Sequence, residues 1–133
     1  MIGWNKDEMT IFNAAQPWFG TLTEEGLERM VAAMGESGPA LIENYRQMYP
    51  DYSPTYLINS AMTSRFIYGT QILADQKVRQ GGAPVYMYQL YYDTKANGGI
   101  LKSPHTLDIP FMFNNAEESR VLVGDGLDPG ELS

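Results

Sequence analysis

The chain has 133 residues, which is the size of one domain with a buried core, and its 44% of hydrophobic residues argues against intrinsic disorder. Its formal net charge of −7 argues against nucleic acid and anionic membranes as partners, because both require a cationic face. Cysteine is absent, which excludes disulfides, thiolate catalysis and cysteine-ligated metals; any compartment is compatible with this, and a cytoplasmic location is favoured.

The first predicted elements are the end of a buried strand and an amphipathic helix. Met1–Trp4 indicate a short strand that runs into a loop. A helix is expected after Thr23, a favourable N-cap residue, with Leu22 and Leu27 placed to form a hydrophobic staple. Its apolar face repeats at i, i+3, i+4 and i+7 and consists of Leu27, Met30, Val31 and Met34.

The segment Gly35–Pro39 separates this helix from a second one. It is similar to the Gly-x-Ser-x-Gly nucleophile elbow of serine hydrolases, but proline occupies the last position. The elbow also requires a turn from a strand into a helix, whereas this segment is predicted to lie between two helices. We therefore interpret Ser37 as a helix cap rather than a nucleophile.

A third, long helix is expected after Ser53 and Pro54. It extends to about Gln80, with a possible break near Phe66–Gly69, and two glycines at 81 and 82 end it.

One strong strand follows the helices, at Val85–Tyr92. Both of its faces are largely apolar, which predicts a central strand covered on each side. Asn97–Gly99 is typical of a turn, and the chain becomes polar and glycine-rich after Phe113. Two strands separated by about eighty mostly helical residues do not make a self-contained sheet, so the pattern indicates part of an α/β protein.

Two segments, one near each end of the chain, contain the residues best suited to catalysis. The first includes Glu8, just after the opening strand, and the second includes His105, the only histidine, after the strand at 85–92. Serine hydrolases need a serine, a histidine and a carboxylate, and in α/β-hydrolases each of these follows a strand. From these residues alone, Glu8 can also be an ordinary carboxylate near a helix start, and His105 a structural or solvated imidazole.

The same segments resemble those of a known family. Gly3-Trp4-Asn5-Lys6-Asp7-Glu8-Met9 resembles the acid segment, Gly-x-Asn-x-Asp-Glu-Gly, of the type-B carboxylesterase/lipase family, which includes para-nitrobenzyl esterases and cholinesterases. Pro84-Val85-Tyr86-x-Tyr88 resembles the family's strand before the histidine loop, and His105–Phe113 resembles its His-Gly-x-Glu-Leu-Pro-Phe-x-Phe segment. The chain departs from the family pattern at Met9, Thr106 and Asp108, where the family has glycine, glycine and glutamate.

The resemblance implies a fold and two catalytic roles. The fold is α/β: a partial α/β-hydrolase fold, mostly helical, with the strands that carry the acid and histidine loops. Glu8 is implied as the triad acid that orients the histidine, and His105 as the general base and then general acid. The substrates implied for the intact parent protein are small-molecule carboxylic esters, and neither a metal nor an organic cofactor is implied.

The family's Gly-Glu-Ser-Ala-Gly elbow and glycine-rich oxyanion loop do not occur in the sequence. The resemblance therefore implies that residues 1–133 are a single fragment of the C-terminal part of a carboxylesterase domain, and that the isolated chain is inactive. It also implies that the family's terminal helices begin near Gly124–Gly130.

A non-enzymatic helical binding or assembly module is the alternative interpretation. An incomplete α/β sheet exposes strand edges and apolar faces, and both favour association. We therefore expect a homo-oligomer, or pairing with a complementary esterase chain that carries the serine. No apolar run approaches the roughly 18 residues of a membrane-spanning helix, so no membrane partner is expected.

Overall fold

The structure is a computed structural model that describes residues 1–126. Its elements in chain order are β1 (Ile2–Asn5), α1 (Thr10–Asn13), α2 (Glu24–Ala32), α3 (Gly38–Met48), α4 (Pro54–Gln80), β2 (Met87–Leu90), a 3₁₀ segment (Ala96–Gly99), α5 (Asp108–Met112) and α6 (Arg120–Val123). This part of the chain is mostly helical with two parallel strands, which fits the α/β prediction at that coarse level. No helix within residues 1–126 is long and apolar enough to cross a membrane. The predicted start of terminal helices near 124–130 lies largely outside the described residues.

The two strands form a parallel pair in which Ile2 is opposite Met87 and Asn5 is opposite Leu90. The prediction of a strand over 85–92 was too long, because β2 has only four residues. The prediction of a central strand covered on each side was also wrong for residues 1–126: β2 pairs with β1 alone, and Met87 within it is 43% exposed. Tyr86 and Tyr91, which flank β2, are 65% and 56% exposed, so apolar side chains here remain open to solvent.

The glycine at position 3 leaves room beside β1 for the bulky ring of a tyrosine. Gly3 is paired with Tyr88, and a Cβ atom on Gly3 would overlap the Tyr88 ring. The ring therefore lies across β1, and its hydroxyl reaches Asp108 at the start of α5.

The helix signals in the sequence were largely local, and most of them were correct. The Thr23 hydroxyl accepts a hydrogen bond of 3.1 Å from the backbone N–H of Gly26, so Thr23 caps α2. Ser37 occupies the N-cap position of α3 but makes no side-chain capping bond. The break expected near 66–69 does not occur: α4 is one 27-residue helix, because a single glycine costs a helix only about 1 kcal/mol. It ends at Gly81, whose φ is +74°.

The hydrophobic core lies between α2, α3 and α4. Its buried members are Leu27, Val31, Ile42, Leu57, Ile58 and Ala61. The N-terminal half of α4 thus has a fixed position in the core, and α4 also packs against β1. This places one rigid helix beside the turn that contains Glu8.

Candidate active site

Parallel pairing of the strands brings the turn after β1 next to the loop before α5. The backbone N–H of Asp7 donates to the carbonyl oxygen of Ser103 at 2.9 Å, and the N–H of Ser103 donates to Asp7 Oδ2 at 3.3 Å. Thr10 adds a bond of 2.6 Å from its hydroxyl to the carbonyl of Leu101. These bonds hold two segments together that are about a hundred residues apart in sequence.

At this junction the structure brings the two predicted site residues into contact. His105 Nδ1 lies 2.6 Å from Glu8 Oε2. The Glu8 side chain is 6% exposed and the His105 side chain is 42% exposed. A buried carboxylate therefore contacts Nδ1 of an imidazole that is itself partly exposed.

Asn5 links both halves of this pair, a role that the sequence analysis did not assign. Its backbone N–H donates to Glu8 Oε1 at 2.7 Å, and its side-chain amide donates to the carbonyl of Pro104, also at 2.7 Å. Asn5 is 1% exposed, and its Oδ1 is buried without a hydrogen-bond partner among residues 1–126. Asn5 is the asparagine of the acid-segment pattern, so the motif contained a signal that could have identified it.

Asp108 connects the histidine loop to the sheet. Its Oδ2 accepts a hydrogen bond of 2.5 Å from the Tyr88 hydroxyl, and its Oδ1 lies 3.3 Å from the Asn5 amide nitrogen. Burial and the neighbouring Asp108 carboxylate raise the pKa of Tyr88, so the tyrosine remains a hydroxyl donor. Asp108 thus joins the loop that contains His105 to both strands through side-chain contacts.

Asp7 lies next to the site and is fully buried. Its carboxylate accepts from the Ser103 N–H and, at 3.3 Å, from the Tyr52 hydroxyl, with Lys6 Nζ 3.6 Å away. Burial raises the pKa of Asp7 above its ordinary value, and the attraction to Lys6 and the Ser103 hydrogen bond only partly oppose this. Asp7 contacts Ser103, Tyr52 and Lys6 rather than His105, so Glu8 is the carboxylate that contacts the imidazole.

Aromatic rings flank the imidazole, another feature that sequence reasoning missed. The ring centroids of Phe12 and Phe66 lie 5.3 Å and 6.1 Å from that of His105. Phe12 comes from α1 and Phe66 from α4, so their approach to His105 depends on helix packing that no local pattern reveals. The two rings are tilted by 39° and 40° to the imidazole and cover part of its surface, although both are themselves partly exposed.

The second imidazole nitrogen, Nε2, has no hydrogen-bond partner in the described part of the chain. The hydroxyls of Ser64 and Ser103 donate to the carbonyls of Ala61 and Leu90, and Ser37 lies between α2 and α3. Within residues 1–126, no serine hydroxyl is hydrogen-bonded to His105. The arrangement can therefore accept a proton at Nε2 from a hydroxyl that another segment or molecule supplies.

Thr106, where the family has glycine, has a strained backbone. Its φ is +71°, a region that β-branched residues rarely adopt. Its hydroxyl donates to the carbonyl oxygen of His105 at 2.5 Å, which offsets part of this cost. The loop keeps a conformation suited to glycine although glycine is absent.

No group of three or more histidine, cysteine, aspartate or glutamate side chains in residues 1–126 is arranged to hold a metal ion. No protein-family model matches the chain, and no curated protein matches it in sequence.

Proposed function

We propose that Glu8 and His105 are the acid and the histidine of a serine carboxylic-ester hydrolase site in a partial α/β-hydrolase fold. In this proposal the nucleophilic serine and the oxyanion donors come from outside these 133 residues. The supporting observation is the 2.6 Å contact between the buried Glu8 carboxylate and Nδ1 of a half-exposed imidazole. This is the acid-to-base spacing that a catalytic triad uses.

The chemistry proposed for this pair is acyl transfer in two stages. As a serine oxygen attacks the ester carbonyl, Nε2 of His105 takes the serine proton and then gives it to the departing alcohol. In the second stage Nε2 takes a proton from a water molecule that attacks the acyl-serine and gives it to the serine oxygen, so that the carboxylic acid leaves and the serine is regenerated. Glu8 accepts a hydrogen bond from Nδ1–H throughout, which keeps Nε2 unprotonated at the start and stabilises the imidazolium that forms.

A fluorophosphonate probe tests this proposal, since such a probe forms a covalent bond with a serine that is activated by a histidine. The protein that carries residues 1–133 would be isolated from its source organism through an affinity tag, together with any chains that accompany it. We expect a labelled serine in the preparation. Labelling should be lost in His105→Gln and kept in Glu118→Gln, which changes a surface carboxylate.

Two outcomes would refute the proposal: no labelled serine in the wild-type preparation, or equal labelling in wild type and His105→Gln. Glu8→Gln gives a graded check. It should label more slowly than wild type, because the imidazole remains but its orienting carboxylate is lost.

A second candidate, an assembly module, is favoured by the open sheet. Parallel sheets are almost always covered on both faces, yet Met87 in β2 and Tyr86 just before it are exposed. In this interpretation the chain self-associates through the sheet. Sedimentation of the isolated chain should show an oligomer that Met87→Lys dissociates and that Val121→Lys, at a 94% exposed position of α6, leaves intact. A wild-type monomer at high concentration would rule this candidate out.

A further inference from the structure

A cavity of about 390 Å³ lies next to the Glu8–His105 pair. It is lined by Met9, Met34, Met62, Arg65 and Phe66. Met9 is the residue after Glu8, and the Phe66 ring lies 6.1 Å from the imidazole of His105. Three flexible thioether side chains and a phenyl ring make a lining that adapts to an aliphatic chain, because methionine fills irregular space easily.

Arg65 is the single charged group on this lining. It is also the only charged residue between Pro54 and Ala74 of α4. Its side chain is exposed and forms no ion pair within residues 1–126. The Glu8 carboxylate contacts the Asn5 N–H and His105, and it forms no ion pair with the Arg65 guanidinium.

Helix geometry explains why these side chains lie together. Met62, Arg65 and Phe66 are at positions i, i+3 and i+4 of α4, which share one face of the helix. Met9 and Met34 complete the cavity from the turn after β1 and from the residues that follow α2. An apolar pocket with one convergent polar group is the usual composition of a small-molecule site.

We propose that this cavity binds the aliphatic chain of a medium-chain carboxylate, with the carboxylate paired to the guanidinium of Arg65. Hydrolysis of an aliphatic ester by water yields an alcohol and such an acid. The inference therefore rests on the proposed function and deepens it: the substrates are esters of medium-chain aliphatic acids, and the cavity holds the acid product.

Calorimetric titration of the isolated chain tests this binding without any catalysis. The probes are octanoate, nonanoate, decanoate and the neutral decanamide, each kept below the concentration at which it forms micelles. Affinity should rise by up to about fourfold per methylene group, which is the effect of burying one CH₂. Decanoate should bind more tightly than decanamide because only the carboxylate pairs with the arginine.

Arg65→Gln should lower the affinity for decanoate by about fivefold and leave decanamide binding unchanged, since a partly exposed ion pair contributes modestly. Arg79→Gln removes the same charge from the distant end of the same helix and should have no effect. Met62→Gln should weaken both ligands. Equal affinity for decanoate and decanamide, or equal binding by Arg65→Gln and wild type, would refute the role of Arg65; absence of saturable binding would refute the site.

The variant His105→Gln separates this inference from the proposed function. It should bind decanoate as wild type does, although it should lose fluorophosphonate labelling. Decanoate binding without any labelled serine in the native preparation would support a carboxylate-binding site and refute the esterase proposal. Labelling without decanoate binding would support the esterase proposal and refute medium-chain acids as the ligands of the cavity.

Discussion

The side-chain amide of Asn5 donates a hydrogen bond of 2.7 Å to the carbonyl oxygen of Pro104, the residue before His105. The backbone N–H of Asn5 binds Glu8 on the other side at the same distance. One buried residue thus sets the position of the acid and of the histidine loop. This link adds to the Asp7–Ser103 and Thr10–Leu101 hydrogen bonds that join the same two segments.

Replacement of Asn5 by alanine should destabilise the protein and loosen the pair. Loss of the buried amide leaves the Pro104 carbonyl without its donor, and we expect the free energy of unfolding to fall by about 1–3 kcal/mol. Urea denaturation measures this fall. Asn44→Ala, at an exposed position of α3, is the control and should change stability little. Equal effects of the two substitutions would contradict the bridging role.

The Glu8–His105 contact predicts one tautomer of the imidazole. Because an ionised Glu8 can only accept, the neutral ring should carry its proton on Nδ1 and leave Nε2 unprotonated. The chain has one histidine, so its ¹⁵N signals in a long-range ¹H–¹⁵N spectrum are unambiguous. Glu8→Gln should yield a mixture of tautomers, whereas Glu118→Gln should leave the wild-type spectrum. A wild-type ring protonated on Nε2 would be inconsistent with a base role.

Substitution of Thr106 by glycine should relieve backbone strain. At φ +71° the threonine pays about 1–2 kcal/mol that glycine avoids, and the greater freedom of glycine in the unfolded chain offsets about half of this. We expect a net gain of up to about 1 kcal/mol in the free energy of unfolding. Thr21→Gly, at a position without positive φ, should instead lower stability. A loss of stability in Thr106→Gly would show that the hydroxyl bond to His105 outweighs the strain.

Asp7 should make stability depend on pH. Since burial raises its pKa in the folded state, the folded protein binds this proton more tightly than the unfolded chain does. The resulting stabilisation is complete below the ordinary pKa of about 3.9 and is lost as the pH rises through the raised pKa. The free energy of unfolding of Asp7→Asn minus that of wild type should therefore increase from pH 4 to pH 7.

Urea titrations at several pH values measure this difference in the free energy of unfolding. A destabilisation by the substitution that is the same at every pH does not change how the difference varies with pH. Asp75→Asn is the matched control because Asp75 is exposed on α4, and its difference from wild type should not change with pH in this way. A difference for Asp7→Asn that decreases with pH would mean that Lys6 outweighs burial.

The isolated 133-residue chain should not hydrolyse a simple aryl ester efficiently. It lacks an elbow serine, and each missing oxyanion donor removes about 2.7–4 kcal/mol of transition-state stabilisation. The measurement is the release of para-nitrophenol from its acetate by purified wild type and by His105→Ala, with buffer as reference. Rapid hydrolysis that disappears in His105→Ala would contradict this prediction.

Signals from residues close together in the sequence predicted much of the fold. The Thr23 cap, the apolar face of α2 and the glycine that ends α4 depend on residues close to each other in the chain, and a sequence displays such relationships directly. The length of β2 was not predicted correctly, because the extent of a strand depends on its neighbours. In the described part of the chain, β2 has only β1 beside it. Apolar residues at 85, 86, 91 and 92 predicted a strand that pairing does not support.

The sequence alone identified Glu8 and His105 as the acid and base candidates, because each stands in a recognisable segment after a strand. Only the tertiary structure decided that they touch, since 97 positions separate them and the parallel register of β1 and β2 brings their loops together. The same holds for the Asn5 bridge, the Phe12 and Phe66 rings and the cavity at Arg65. Each depends on side chains from separate elements, whose meeting is set by packing rather than by local pattern.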